Sequence, residues 1–109
     1  MASKPDHAPP NLTSRVALVT GASRGIGEAI ALALAGAGAA VAVNYKSRAA
    51  DADAVRDRIR ALGRRSIAIA ADVSLAADVQ RLVGEVRTGL GPIHILVNNA
   101  GIARAQKLG

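Results

Sequence analysis

Three glycines, Gly21, Gly25 and Gly27, fall within the eight residues "TGASRGIG" (20–27), between an apolar run and a segment of helical spacing. Glycine at that density forfeits helix and strand propensity together, and what it supplies is backbone that can be approached closely. A turn leading from a strand into a helix gathers amide hydrogens that have no partner inside the helix, and an anion is the guest such a point favours. In this reading Gly21 makes the tight turn, Gly25 lets a pyrophosphate reach the backbone with no Cβ in the way, and Gly27 permits close helix-to-strand packing. The spacing is G-x-x-x-G-x-G, not the G-x-G-x-x-G of the ordinary dinucleotide fingerprint. A phosphate loop, G-x-x-x-x-G-K followed by Ser or Thr, is excluded because Ile26 stands where its second glycine belongs.

The elements that would position this loop are legible as four short apolar runs: "VALVT" (16–20), "AVAVN" (40–44), "SIAIA" (66–70) and "HILVN" (94–98). Most lack clean alternation, as strands of a parallel sheet covered on both faces do. Between them lie three helical patterns. The first, 25–37, puts Ile26, Ile30, Ala33, Leu34 and Ala37 on one stripe, and the second, 49–62, carries Val55, Ile59 and Leu62. The third starts after Ser74 as N-cap, with Asp78 favouring the helix dipole, and runs through Val79, Leu82, Val83 and Val86 to Leu90. Gly84 inside it costs about 1 kcal/mol relative to Ala, which suggests tight packing there. Right-handed crossovers then give an α/β fold with a doubly wound parallel sheet, Rossmann-like, of strand order 3-2-1-4 and cut off after the fourth strand.

Composition narrows the function classes. The 109 residues allow one domain: a flexible tail over 1–13, holding three of the four prolines, and the sheet domain over 14–109. Half of the chain is hydrophobic but aromatics make up 1%, so the core is built of closely packed Ala, Val, Ile and Leu. With no cysteine, a disulfide framework, a thiolate zinc site and a cysteine nucleophile are excluded. There is no apolar signal segment, and "AIALALAGAGAAVAV" is shorter than the roughly 20 residues a bilayer span needs. The expectation is a cytoplasmic protein with no membrane partner. Net charge is +6, yet the arginines of "RDRIRALGRR" (56–65) are interleaved with Asp51, Asp53 and Asp57 at helical pairing distances. Tyr45 is the one aromatic, so no platform for nucleic acid exists and none is expected as partner.

Three motifs in order, "TGASRGIG" after "VALV", "DV" at 72–73 after the third run and "ILVNNAG" at 95–101, resemble the short-chain dehydrogenase/reductase family, and among it the 3-oxoacyl-acyl-carrier-protein reductase-like members. The resemblance covers residues 12–109. It implies an oxidoreductase with a nicotinamide cofactor across the carboxyl ends of the strands. Gly21, Ser23, Arg24, Gly25, Ile26 and Gly27 would hold the pyrophosphate and adenosine ribose, Asp72 and Val73 would flank the adenine, and Asn98, Ala100 and Gly101 would line the nicotinamide-side ribose. Thr20 and Asn99 are expected to tie the first and fourth strands together. The reaction implied is reduction of a carbonyl or 3-oxoacyl group by hydride transfer, on a small or carrier-protein-bound substrate, with homo-oligomers possible in a full-length form.

Which nicotinamide cofactor is meant follows from "VNYKSR" (43–48). An NAD-selective site presents Asp or Glu to the ribose 2′-hydroxyl about twenty residues past the glycine loop. Asn44 and Tyr45 stand there instead, no carboxylate appears before Asp51, and Arg24, Lys46 and Arg48 converge on the corner. Guanidinium groups grip a 2′-phosphate bidentately, so NADP(H) is expected, with NAD(H) the alternative.

His94 departs from the family, which commonly has Asp at that place, and reads as a solvated residue at a strand edge; with only His7 as a second histidine, no metal site is expected. The family's proton donor is a Tyr in a Tyr-x-x-x-Lys pair, helped by a Ser, beyond the position matching Gly101. Tyr45 has no Lys four residues on, so no residue here is assigned a catalytic role. The chain stops eight residues past "NNAG", and the expectation is a fragment whose fourth strand is an apolar edge prone to pairing with another chain. A non-catalytic nucleotide-binding module and an inactive remnant are the alternative readings.

Overall fold

The computed structural model of the protein describes residues 11–100. Strands β1 (Val16–Val19), β2 (Ala40–Tyr45), β3 (Ser66–Ala70) and β4 (Ile95–Val97) alternate with helices α1 (Gly25–Gly36), α2 (Ala49–Ala61) and α3 (Ala76–Gly89). Every pairing is parallel and the order is β3-β2-β1-β4, as the sequence predicts. Val16 pairs with Ala40, Ala17 with Ile95 and Val41 with Ser66.

Alternation along the strands splits the core in two. Ala17, Val19, Val41 and Val43 point to one face and pack on α1 and α2, against Ala31, Ala35, Ala52, Val55 and Ile59. Val16, Leu18, Ala40 and Ala42 point to the other, against Leu82, Val86 and Leu90 of α3 and its end. Both faces of the central strands are therefore covered, which is why those runs read as continuously apolar.

Helix stripes depart from expectation in instructive ways. On α1 the buried row is Gly27, Ala31 and Ala35, not the row starting at Ile26, which is 57% exposed. The smallest residues face the sheet because they let the helix lie close to it, and Ile30 and Leu34 pack along the flanks. On α2 the row is Ala52, Val55 and Ile59, whereas Leu62 falls past the helix end and is half exposed. Ser74 does not cap α3. Its hydroxyl donates to Asp72 Oδ1 at 2.6 Å, Leu75 occupies the cap position, and Asp78 Oδ2 accepts the Asp72 N–H at 2.8 Å. Residues 11–13, expected in the flexible tail, lie against the end of α1, where the Leu12 N–H donates to the Ala37 carbonyl at 2.8 Å.

The arginine run does more than face solvent. Arg56 pairs with Asp53 and Asp57, and Arg58 with Glu28 of α1 at 2.7 Å. Arg60, in the last turn of α2, instead donates to the Ser66 carbonyl at the start of β3, while Arg64 and Arg65, in the link between those elements, donate to the Ala35 and Leu90 carbonyls at the C-terminal ends of α1 and α3. Such charge-assisted bonds suit the negative ends of helices. His94 is exposed just ahead of β4, as expected, and in addition bonds both backbone polar groups of Val16. Among the described residues no helix is long and apolar enough to cross a membrane.

Gly84 is not a packing glycine, since a Cβ there would meet no atom within 4 Å. Gly84→Ala is therefore expected to stabilise the protein by about 1 kcal/mol through helix propensity alone, raising the melting temperature by about 5 °C. Thermal unfolding followed by circular dichroism checks it, and an unchanged or lowered midpoint would show that the space over Gly84 has another use.

Candidate functional site

The carboxyl ends of the four parallel strands form one edge, and the glycine loop leaves β1 there. Gly21 and Gly25 take φ of +60° and +62°, which side chains with a Cβ rarely adopt. In front of Gly25 the space is open, with no atom within 4 Å of a Cβ position, whereas Gly27 has its Cβ position filled by the Gly21 carbonyl oxygen and by Asn99 Nδ2 at 2.7 Å. Gly25 thus presents bare backbone outward while Gly27 packs inward. Arg24 occupies the N-cap position of α1 in an extended conformation, and no side chain caps the helix. The first-turn amide hydrogens therefore have neither an intrahelical partner nor a side-chain cap, which suits an anion.

Buried polar side chains hold this loop from below. Asn44, 2% exposed, accepts the Gly21 N–H on Oδ1 at 3.2 Å and donates from Nδ2 to the carbonyls of Ile69 and Ala71 at 3.3 and 3.2 Å. It joins β1, β2 and β3 beneath the site. From the other side Asn99 Nδ2 donates to the Gly21 carbonyl at 3.0 Å, and Thr20 Oγ1 accepts the Ala100 N–H at 3.1 Å. The Thr20 hydroxyl also donates to the Val97 carbonyl at 3.3 Å. Thr20 and Asn99 join the first and fourth strands as the sequence reading expects.

Two hollows flank the loop. One, of about 450 Å³, is lined by Gly21, Ser23, Arg24, Gly25 and Ile26 from the loop and by Tyr45, Lys46 and Arg48 from the end of β2. No carboxylate lines it among the described residues. The other, of about 350 Å³ and mostly apolar, lies toward α3 and takes in Val73, Asn98 and Ala100 beside Leu96, which is 64% exposed. Asp72 sits by the first hollow through Lys46, whose Nζ lies 3.6 Å from its carboxylate. The Ser74 hydroxyl, with the Ser74 amide and Lys46 adding to it, holds the Asp72 carboxyl below the usual carboxylate range. Arg48 pairs with Asp51 at 3.4 Å, whereas Arg24 makes no ion pair among the described residues.

Of the residues expected at the site, Asn44 and Asp72 line neither hollow: the Asn44 side chain is buried against the carbonyls of β3, and Asp72 is held by Ser74 and Lys46. Gly27 lies beneath the loop, and Gly101 falls outside the described residues. Ser47, unnoticed in sequence, lines the first hollow, and the Ser74 partnership was available from the Asp-x-Ser spacing, a common local turn. The fit to a dinucleotide is good: bare backbone at Gly25, an uncapped helix start and three cations beside it accommodate phosphate groups.

The family model for short chain dehydrogenase matches residues 15–109. The chain belongs to that family. It is 50% identical over 95 residues to the 3-oxoacyl-acyl-carrier-protein reductase FabG of Staphylococcus aureus, an alignment covering 87% of this chain and 39% of the relative. A short chain dehydrogenase from Burkholderia cenocepacia, solved in complex with NADP, superposes with a TM-score of 0.78 at 50% identity, over 81% of this chain and 36% of that one. A 7α-hydroxysteroid dehydrogenase solved with NADH and 7-oxo glycochenodeoxycholic acid matches with a TM-score of 0.77 at 36% identity, over 81% and 34%. The chain thus spans well under half the length of these relatives.

Proposed function

We propose that this chain is the cofactor-binding part of an NADP(H)-dependent oxidoreductase that reduces a carbonyl or 3-oxoacyl group. Relatives of the family have been solved with either cofactor, so local charge must choose between them. The observation that carries the choice is the hollow beside the glycine loop, lined by Arg24, Lys46 and Arg48 and by no described carboxylate. A 2′-phosphate placed there meets three cations, two of which, Lys46 and Arg48, also pair with Asp72 and Asp51. The Gly21–Gly27 loop and the α1 amides would hold the diphosphate, Tyr45 would border the ribose corner, Asp72 and Val73 would flank the adenine, and Asn98 and Ala100 would line the far ribose. The cofactor, when bound, supplies the hydride. The carrier-protein substrate is suggested by the Staphylococcus aureus relative.

Arg24 should dominate the selection, because Lys46 and Arg48 already hold carboxylate partners in Asp72 and Asp51. Arg24→Ala is expected to weaken NADPH binding by roughly ten- to a hundredfold, the worth of a charge-assisted contact, while NADH binding stays nearly unchanged. Titration calorimetry with both dinucleotides measures this. Tighter binding of NADH than NADPH by the unaltered protein, or no loss on Arg24→Ala, overturns the reading.

A further inference from the structure

At the end of the sheet opposite the hollows, β4 is fastened to β1 by a two-way exchange. The His94 N–H donates to the Val16 carbonyl at 2.9 Å, and the Val16 N–H donates to His94 Nδ1 at 3.0 Å. This pair lies just ahead of the three paired residues Ile95, Leu96 and Val97, so it adds a large part of what holds a very short strand. Val16 is 3% exposed, and its amide has little access to water as an alternative partner. His94 itself is exposed, so protons reach the ring.

An imidazole nitrogen accepts a hydrogen bond only while it carries no proton; the protonated ring is a donor at both nitrogens. We propose that the His94 to Val16 bond makes the attachment of β4 to β1 acid-sensitive: protonation of the ring sets two donors against each other and leaves the Val16 amide unpaired. Among the described residues the ionisable groups at this end of the sheet are cations: Arg15 beside Val16, Arg60, Arg64 and Arg65 donating to the Ser66, Ala35 and Leu90 carbonyls, and Arg87 in the last turn of α3. β2 starts here with Ala40, and Gly91, Pro92 and Ile93 ahead of the ring carry no charge. Among the described residues no carboxylate pairs with His94 to hold the protonated ring in place. At its far end β4 leads into Asn99, which bonds the Gly21 carbonyl, so loosening the strand reaches the glycine loop.

The test is a pH titration of the full chain by NMR, reading the His94 ring protons together with the hydrogen-exchange protection of the Val16 amide. Protection is expected to fall roughly fivefold as the ring protonates, the factor set by one backbone hydrogen bond. His94→Asn, whose Oδ1 takes the place of Nδ1 and does not titrate, should keep protection level over the same range. Protection that stays level in the unaltered protein while the ring titrates overturns the proposal, as does an identical fall in His94→Asn. The unaltered protein decides by itself if the variant does not fold, and no dinucleotide enters the measurement, so its outcome is separate from that of the cofactor assignment.

Discussion

Gly27→Ala is expected to lower stability by roughly 3 kcal/mol and to remove the dinucleotide affinity proposed above. A single methyl group has this effect because of what it meets. The new Cβ would overlap the Gly21 carbonyl oxygen, come within 2.7 Å of Asn99 Nδ2 and reach 3.0 Å from Ala22 Cα, two of them backbone atoms with no rotamer to retreat into. Moving the Gly21 carbonyl breaks its bond from Asn99 and drags the Gly21 N–H off Asn44. Moving α1 outward instead opens the row of Ala31 and Ala35 against the sheet. Gly36→Ala is the control on the same helix, since no atom lies within 4 Å of its Cβ position, and it should leave binding intact. Thermal melts and titration calorimetry on both variants measure the difference; an unshifted midpoint for Gly27→Ala would mean that the close approach of α1 to the loop is not as described.

The same close approach shows what could be read in the chain beforehand. Strand positions and order were legible because β-branched runs sit between glycine and charged breaks, and parallel burial leaves the runs continuously apolar. The inward face of α1 was not, since counting large apolar residues favours Ile26, whereas contact with the sheet selects Gly27, Ala31 and Ala35. Leu62 misled for another reason: it continues the apolar period of α2 but lies one residue beyond the last helical turn. The roles of Arg60, Arg64 and Arg65 depend on carbonyls of other elements, which no local spacing announces. At the site, the glycine loop and the three cations were legible because each sits next to a recognisable strand end. The fate of Asn44 was also available, and was missed. Val41 and Val43 face α1 and α2, so the period of two sends Asn44 to the opposite face and brings Tyr45 back to theirs, beside the phosphate corner.

That orientation sets the outcome of changing Asn44. Asn44→Ala should cost about 3 kcal/mol, because the Gly21 N–H and the carbonyls of Ile69 and Ala71 lose their partner in a place that is 2% exposed. Asn44→Asp should cost more at neutral pH. A carboxylate can still accept from Gly21, but it cannot donate, and it sets negative charge against two carbonyl oxygens away from water. Those surroundings favour the protonated acid and raise its folded-state pKa above the unfolded value, so the added penalty is absent in acid and grows as pH rises past the unfolded value. The usual rule that an acidic residue at the end of the second strand selects NADH fails at this position, because the side chain points away from the hollow that Tyr45, Lys46 and Arg48 line. The expected result is a lowered melting temperature with the order of NADPH and NADH affinities unchanged. A switch to NADH at an unchanged melting temperature would show instead that residue 44 faces the cofactor, and that the clamp joining the first three strands is dispensable.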